Sequence, residues 1–156
     1  MIRIDKIKIK RFNYNMRKII FVLFLLTLFS STSFSQTKKF ILEITNVTVN
    51  GGRVHVSIFF TAEEFKREIP STGVTLESTG TVISHEFDLP IGEYLFSAYQ
   101  DANNNGECDF FLGIPRELVA ISNHTGRGIP PRDFNRLKVP VNAATDKVTI
   151  RLQKFL

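Results

Sequence analysis

A single cysteine, Cys108, stands in the chain, and there is no tryptophan. One thiol cannot close an intrachain disulfide, so stability must come from packing or from a bound ion. The missing tryptophan and the count of only three tyrosines remove the usual platforms for stacking a sugar, although phenylalanine is plentiful at fifteen. No G-x-S-x-G nucleophile motif occurs, and Ser122 has no evident base. No apolar run reaches the roughly 20 residues that a membrane span needs; Ile19–Phe29 has 11. Positive charge is scarcer than the formal net of +5 suggests. Seven basic residues and one acid lie in positions 1–35, which leaves 13 basic and 14 acidic residues beyond them. That balance lacks the basic surface on which nucleic-acid binding depends, so no nucleic-acid partner is expected.

What is present begins with an export signal. Met16-Arg17-Lys18 is a basic region, Ile19–Phe29 an apolar core, and Ser30–Ser35 a small-residue region with Ser33 and Ser35 placed for cleavage before Gln36. The alternative is an uncleaved membrane anchor. No cysteine stands directly after the apolar run, so a lipid-anchored bacterial form is not expected. Met16 makes a better start than Met1. The expected organisation is a signal peptide over residues 1–35, with a possible true start at 16, and one domain over 36–156. Export places that domain in the periplasm, on the outer surface or in the medium, with no membrane span after cleavage. At this size it hides roughly two-thirds of its unfolded surface.

Beyond the leader, period-two alternation dominates. Phe40, Leu42 and Ile44 share a face, and the phase slips near Asn46, where a bulge is expected. Asn50-Gly51-Gly52 reads as a hairpin turn. Val54, Val56, Ile58 and Phe60 follow on one face. Residues 61–72 read as a short helical turn or a loop. Gly73–Glu77 is a weak strand, and Thr81–Leu89 places Ile83, His85, Phe87 and Leu89 together. A turn at Leu89–Glu93 leads into Tyr94–Gln100. Residues 101–135 carry Gly, Pro, Asn and Asp throughout and read as a long loop after the fifth strand. Leu137–Val141 and Lys147–Lys154 close the chain. About seven short strands predict an all-β, antiparallel β-sandwich, with a small barrel as the alternative. A loop of that length needs something to hold it.

The acidic loop supplies a candidate. Asp101 to Asp109 follows the pattern D-x-N-x-N-G-x-x-D. Calcium takes six to eight oxygens, and this spacing offers them from Asp101, Asn103, Asn105, the Glu107 carbonyl and Asp109, with Gly106 at the sharp turn. The bidentate Glu of a helical calcium loop is replaced by Leu112, and the next acid is Glu117, a possible ligand or loop-ordering group. With two anionic ligands, weak affinity is expected. The competing reading is an Asx-rich turn held by its own hydrogen bonds.

Several of these residues resemble a known family. Tyr99–Asp109, then Phe111-Leu112-Gly113-Ile114-Pro115-Arg116-Glu117, then Ser122-Asn123, together with the turn Leu89-Pro90-Ile91-Gly92-Glu93-Tyr94, resemble the domain of unknown function 2141. The resemblance covers about residues 40–153. It implies an exported bacterial protein and a sandwich similar to transthyretin-like or carboxypeptidase-regulatory domains, and it brings no established activity; the expected fold is a transthyretin-like or immunoglobulin-like sandwich. Gln100 stands where the family usually has His, and Cys108 where it has an apolar residue.

Among the remaining candidates, Cys108 is expected to be a small buried hydrophobe, His85 a core histidine and His55 a surface residue. Ser122, Asn123, His124, Arg127 and Arg132 are possible ligand contacts, the last three suited to a small anion or a sugar acid. No reaction follows from these residues. The expectation is an exported, calcium-stabilised binding or structural module at the cell envelope. Its partner is an envelope or extracellular protein, a glycan or a small molecule. The alternatives are a hydrolase of envelope or extracellular polymers and a carbohydrate-binding module.

Overall fold

The computed structural model describes residues 36–126 and 128–154; the expected export signal lies outside them. In chain order the elements are β1 (Thr37–Thr45), β2 (Arg53–Phe59), α1 (Ala62–Arg67), β3 (Thr72–Glu77), β4 (Val82–Pro90), β5 (Gly92–Asp101), β6 (Phe110–Phe111), β7 (Ile114–Pro115), β8 (Leu118–Ile121), α2 (Phe134–Leu137), β9 (Val139–Val141) and β10 (Lys147–Arg151). One sheet has the order β10-β1-β4; the other runs β3-β2-β5-β8, with β9 also paired to β5. The fold is all-β. The expected count of about seven strands misses β6, β7 and β8, which lie inside the stretch read as a long loop. Leu118–Ile121 is a four-residue apolar run with no alternation, and it was hidden among loop-forming neighbours. The five-stranded sheet is antiparallel throughout, whereas β1 and β10 run parallel.

The alternation read from the sequence becomes the inner face of each sheet. Phe40, Leu42 and Ile44 of β1, Phe87 and Leu89 of β4 and Ile150 of β10 meet Val54, Val56, Ile58, Phe96 and Ala98 of the opposite sheet in one buried cluster. Phe40 stacks on Phe96 with ring centroids 5.5 Å apart. A smaller cluster lies on the outer face of the five-stranded sheet. There Phe59, Leu95, Ile121 and Leu137 are covered by Phe65 of α1 and Phe134 of α2. Helix α1 starts with a capping box: the Thr61 hydroxyl accepts from Glu64 N–H, and the Glu64 carboxylate accepts from Thr61 N–H.

The hairpin expected at Asn50-Gly51-Gly52 does not form, because β1 and β2 belong to different sheets. The turn signal marks a crossover instead. Nor does β1 continue through a bulge. It ends at Asn46, which is left-handed at φ +61° and whose amide donates to Leu152 O at 2.6 Å. The crossover is held by the buried Gln100 amide, which donates to Thr48 O and accepts from Thr48 N–H at 2.7 and 2.9 Å. Gly52, at φ +91°, lies so close to β5 that a Cβ would sit 1.8 Å from Asp101 O. This contact brings the start of β2 against the end of β5, where the acidic loop begins. The chain crosses between sheets again at Pro90-Ile91-Gly92, between β4 and β5, where the Tyr94 hydroxyl donates to Pro90 O at 2.7 Å.

Candidate metal centre

Strand β5 alternates Leu95, Ser97, Tyr99 and Asp101 on its outer face with Phe96, Ala98 and Gln100 on its inner face. Asp101, at the strand's end, is 1% exposed. One carboxylate oxygen accepts from Asn105 N–H at 3.1 Å and the other from Gly106 N–H at 2.8 Å. The following Asx residues repeat the pattern: Asn103 Oδ1 accepts from Asn105 N–H, and Asn105 Oδ1 from Glu107 N–H. Left-handed Asn104 and Gly106, at φ +57° and +85°, turn the chain back on itself. The amide nitrogens of Asn103 and Asn105 both donate to the Asp109 carboxylate, at 2.8 and 3.2 Å. The four side chains at positions 1, 3, 5 and 9 of the motif are thus joined in one network.

Glu117 closes the loop from beneath. It is 7% exposed. Its two oxygens accept from Ala102 N–H at 2.8 Å and from Asp109 N–H at 3.4 Å, so one carboxylate spans both ends of the loop. The Tyr99 hydroxyl donates to Gly106 O at 2.9 Å, which lays the loop over the outer face of the sheet. Burial tends to raise the Asp101 carboxyl, but the N–H groups of Gly106, Asn105 and Asn104, with His55 beside it, hold it below the usual carboxylate range.

His55 was expected at the surface and is not a free surface residue. Its ring stacks on Tyr99 at 4.9 Å. Nδ1 lies 3.0 Å from the Thr75 hydroxyl, and the buried Nε2 lies 3.4 Å from Asp101 Oδ2, outside hydrogen-bond geometry. The register that sets His55 opposite Tyr99 and Arg53 opposite Asp101 carries no local sequence signal. His85 packs edge-on to Phe87, with centroids 4.6 Å apart. Cys108 is half-buried and not fully inside; burial, then the carboxylates of Glu117, Asp109 and Asp101, push its thiol up to about 11.

The possible ligand contacts separate in space and in role. Ser122 is fully buried, so it cannot present a contact surface. Its hydroxyl donates to Leu137 O at 2.6 Å and accepts from Phe96 N–H at 3.0 Å. Asn123, exposed and left-handed, donates to Lys138 O, and His124 Nε2 lies 3.1 Å from Gly128 O. Arg132 is almost wholly exposed and lies 3.5 Å from Glu68. Arg127 falls outside the described residues. A different set lines the open groove of about 500 Å³ beside the acidic loop, including Asn50, Arg53, Glu77, Ser78 and Asn104. Sequence reading missed these because crossover, sheet edge and loop meet only in the fold.

The candidate ligands, namely Asp101, Asn103, Asn105, the Glu107 carbonyl and Asp109, would offer only oxygens, the chemistry that suits a hard cation rather than a transition metal. Among the described residues no cluster of three or more His, Cys, Asp or Glu side chains is arranged for a metal ion. Of the five donors named here, two come from asparagine amides and one from a backbone carbonyl.

No curated protein and no solved structure matches the chain. A family model described as "Uncharacterized protein conserved in bacteria (DUF2141)" matches residues 42–149. That span runs from within β1 to within β10 and includes the whole acidic loop with its Glu117 strap. The chain belongs to this bacterial family of unknown function.

Proposed function

We propose that the protein is an exported β-sandwich whose long loop is stabilised by calcium, and that it serves as a binding or structural module at the cell envelope. The observation that carries the reading is the buried Asp101 carboxylate, which accepts from the N–H groups of Asn105 and Gly106 at the head of a D-x-N-x-N-G-x-x-D loop already folded around Asp109. Asp101, Asn103, Asn105, the Glu107 carbonyl and Asp109 are the proposed ligands, and Glu117 orders the backbone behind them. Asp109 is held here by two neutral amide N–H groups. A divalent cation interacts more strongly with a carboxylate than such donors do, and that difference is the gain on binding. With only two anionic ligands the affinity belongs in the micromolar-to-millimolar range, which suits a calcium-rich extracytoplasmic setting.

Calorimetry and thermal melts, in millimolar calcium and in chelator, test the metal. At a hundredfold excess over Kd the expected stabilisation is about 2.7 kcal/mol, or a rise in Tm of roughly 5–10 °C. Asp109→Asn should abolish the rise. An unchanged Tm in wild-type protein up to about 100 mM calcium, a hundredfold excess over the weakest affinity in that range, would sink this reading. N-terminal sequencing of protein released by its producing cell tests export: a start at Gln36 supports it, and an intact leader overturns it.

A further inference from the structure

The chain contains two Asn–Gly pairs, Asn50-Gly51 and Asn105-Gly106. Such a pair is open to attack on its own side chain, because glycine has no Cβ to shield the backbone nitrogen that follows the asparagine. The fold treats the two pairs differently. The Asn105 carboxamide is tethered at both ends: Oδ1 accepts from Glu107 N–H at 2.9 Å, and Nδ2 donates to Asp109 at 3.2 Å. The Gly106 N–H in turn donates to the buried Asp101 carboxylate at 2.8 Å. All of these bonds must break before the Gly106 nitrogen can meet the Asn105 side-chain carbon.

Asn50 has no such restraint. It is exposed, and its carboxamide makes no hydrogen bond among the described residues. The Gly51 N–H donates to Thr48 O at 3.0 Å. That carbonyl also accepts from the Gln100 amide at 2.7 Å, so it keeps a partner when Gly51 lets go. We propose that Asn50-Gly51 is a site of spontaneous deamidation, and that the acidic loop shields Asn105-Gly106 from the same reaction. The Gly51 nitrogen gives its proton to a solvent base and attacks the side-chain carbonyl carbon of Asn50. The new N–C bond closes a cyclic imide, the bond from that carbon to Nδ2 breaks, and Nδ2 takes a proton from solvent and leaves as ammonia. Water then opens the imide. Opening at the side-chain carbonyl yields aspartate, and opening at the backbone carbonyl yields isoaspartate. Either product adds a carboxylate to the open groove that Asn50 lines with Arg53, Glu77 and Asn104. The isoaspartyl form also lengthens the backbone just before Gly52, where the close approach to Asp101 O leaves no slack. The inference goes beyond the calcium reading and stands whether or not the loop binds an ion.

The test incubates wild-type protein in mildly alkaline buffer with chelator, folded in one arm and unfolded in concentrated urea in the other. Peptide mass spectrometry follows the exchange of NH2 for OH at each asparagine. In the folded protein Asn50 should convert about a hundredfold faster than Asn105, which must first break its tethers. In urea the two pairs should react at similar rates. Asp109→Ala releases the Asn105 amide and should speed conversion there about tenfold, with no change at Asn50. Asn50→Gln, whose longer side chain closes a larger and less favoured ring, should remove the product at position 50. Equal rates at Asn50 and Asn105 in the folded protein overturn the proposal. So does a folded protein that stays intact at Asn50 while the unfolded chain reacts there, and an unchanged rate at Asn105 in Asp109→Ala overturns the shielding. Because every arm contains chelator, a Tm that calcium leaves unchanged removes the calcium reading alone.

Discussion

Gly52 and Asp101 meet backbone to backbone, and much of the candidate site depends on that contact. The close approach sets the start of β2 against the end of β5, so that Arg53 N–H can donate to Asn104 Oδ1 at 3.2 Å and brace the loop. A methyl group at position 52 would collide with Asp101 O and strain a left-handed backbone. Gly52→Ala should therefore cost about 2–4 kcal/mol. Urea unfolding measures this as a lower midpoint at unchanged slope, and a loss within experimental error would mean that the crossover relaxes freely. At the same scale, Gln100 was legible as a departure from the family pattern, but its role was not. Its amide offers one donor and one acceptor to the same residue, Thr48, 52 positions away. No local pattern announces a partner at that distance.

The acidic loop is the element whose identity was most open to reading in the sequence. Spacing alone places Asp101, Asn103, Asn105 and Asp109 on one turn, because Asx side chains bond to backbone N–H groups two residues on. Spacing does not reveal the strap beneath it. Glu117 enters through the short hairpin and β8, and both of these were hidden in a stretch rich in turn formers. Glu117→Gln keeps the shape but leaves one acceptor oxygen for two N–H groups. The expected cost is about 1.5–3 kcal/mol. Hydrogen exchange should quicken at the amides of Ala102 and Asp109, while the amide of Ser122, bonded to Phe96 O at 2.8 Å, stays slow. Equal protection at Ala102 in variant and wild type would show that the loop holds itself.

At the largest scale, the described residues form a two-layer sandwich whose first and last strands lie side by side in parallel. Lys38 shows what that arrangement produces. Its ammonium donates to the carbonyls of Asn142, Ala143 and Thr145, at 2.6, 3.3 and 3.1 Å, and so caps the turn before β10 from more than 100 residues away. Lys38→Met retains the stem but not the donors, and should lower stability by about 1–2 kcal/mol. Urea unfolding tests it, and a neutral result would mean that water replaces the ammonium at those carbonyls. The bridge from Val119 to Gln153 likewise joins β8 to the chain following β10. Both contacts depend on the parallel pairing of β1 and β10, which periodicity cannot predict.

By itself, the sequence determined the class of fold and the place of the acidic loop. Alternation sorts each strand into an inner and an outer face whatever its partner, and Asx spacing makes a turn whatever lies beneath it; both are local effects of backbone geometry. Tertiary structure decided what those local choices meet. It turned a hairpin signal into a crossover, placed His55 beside Asp101, buried Ser122 between Phe96 and Leu137, and brought Glu117 under the loop. Each of these contacts joins residues set side by side by strand register or chain crossing, and register is a property of the packed sheets rather than of any short stretch of chain.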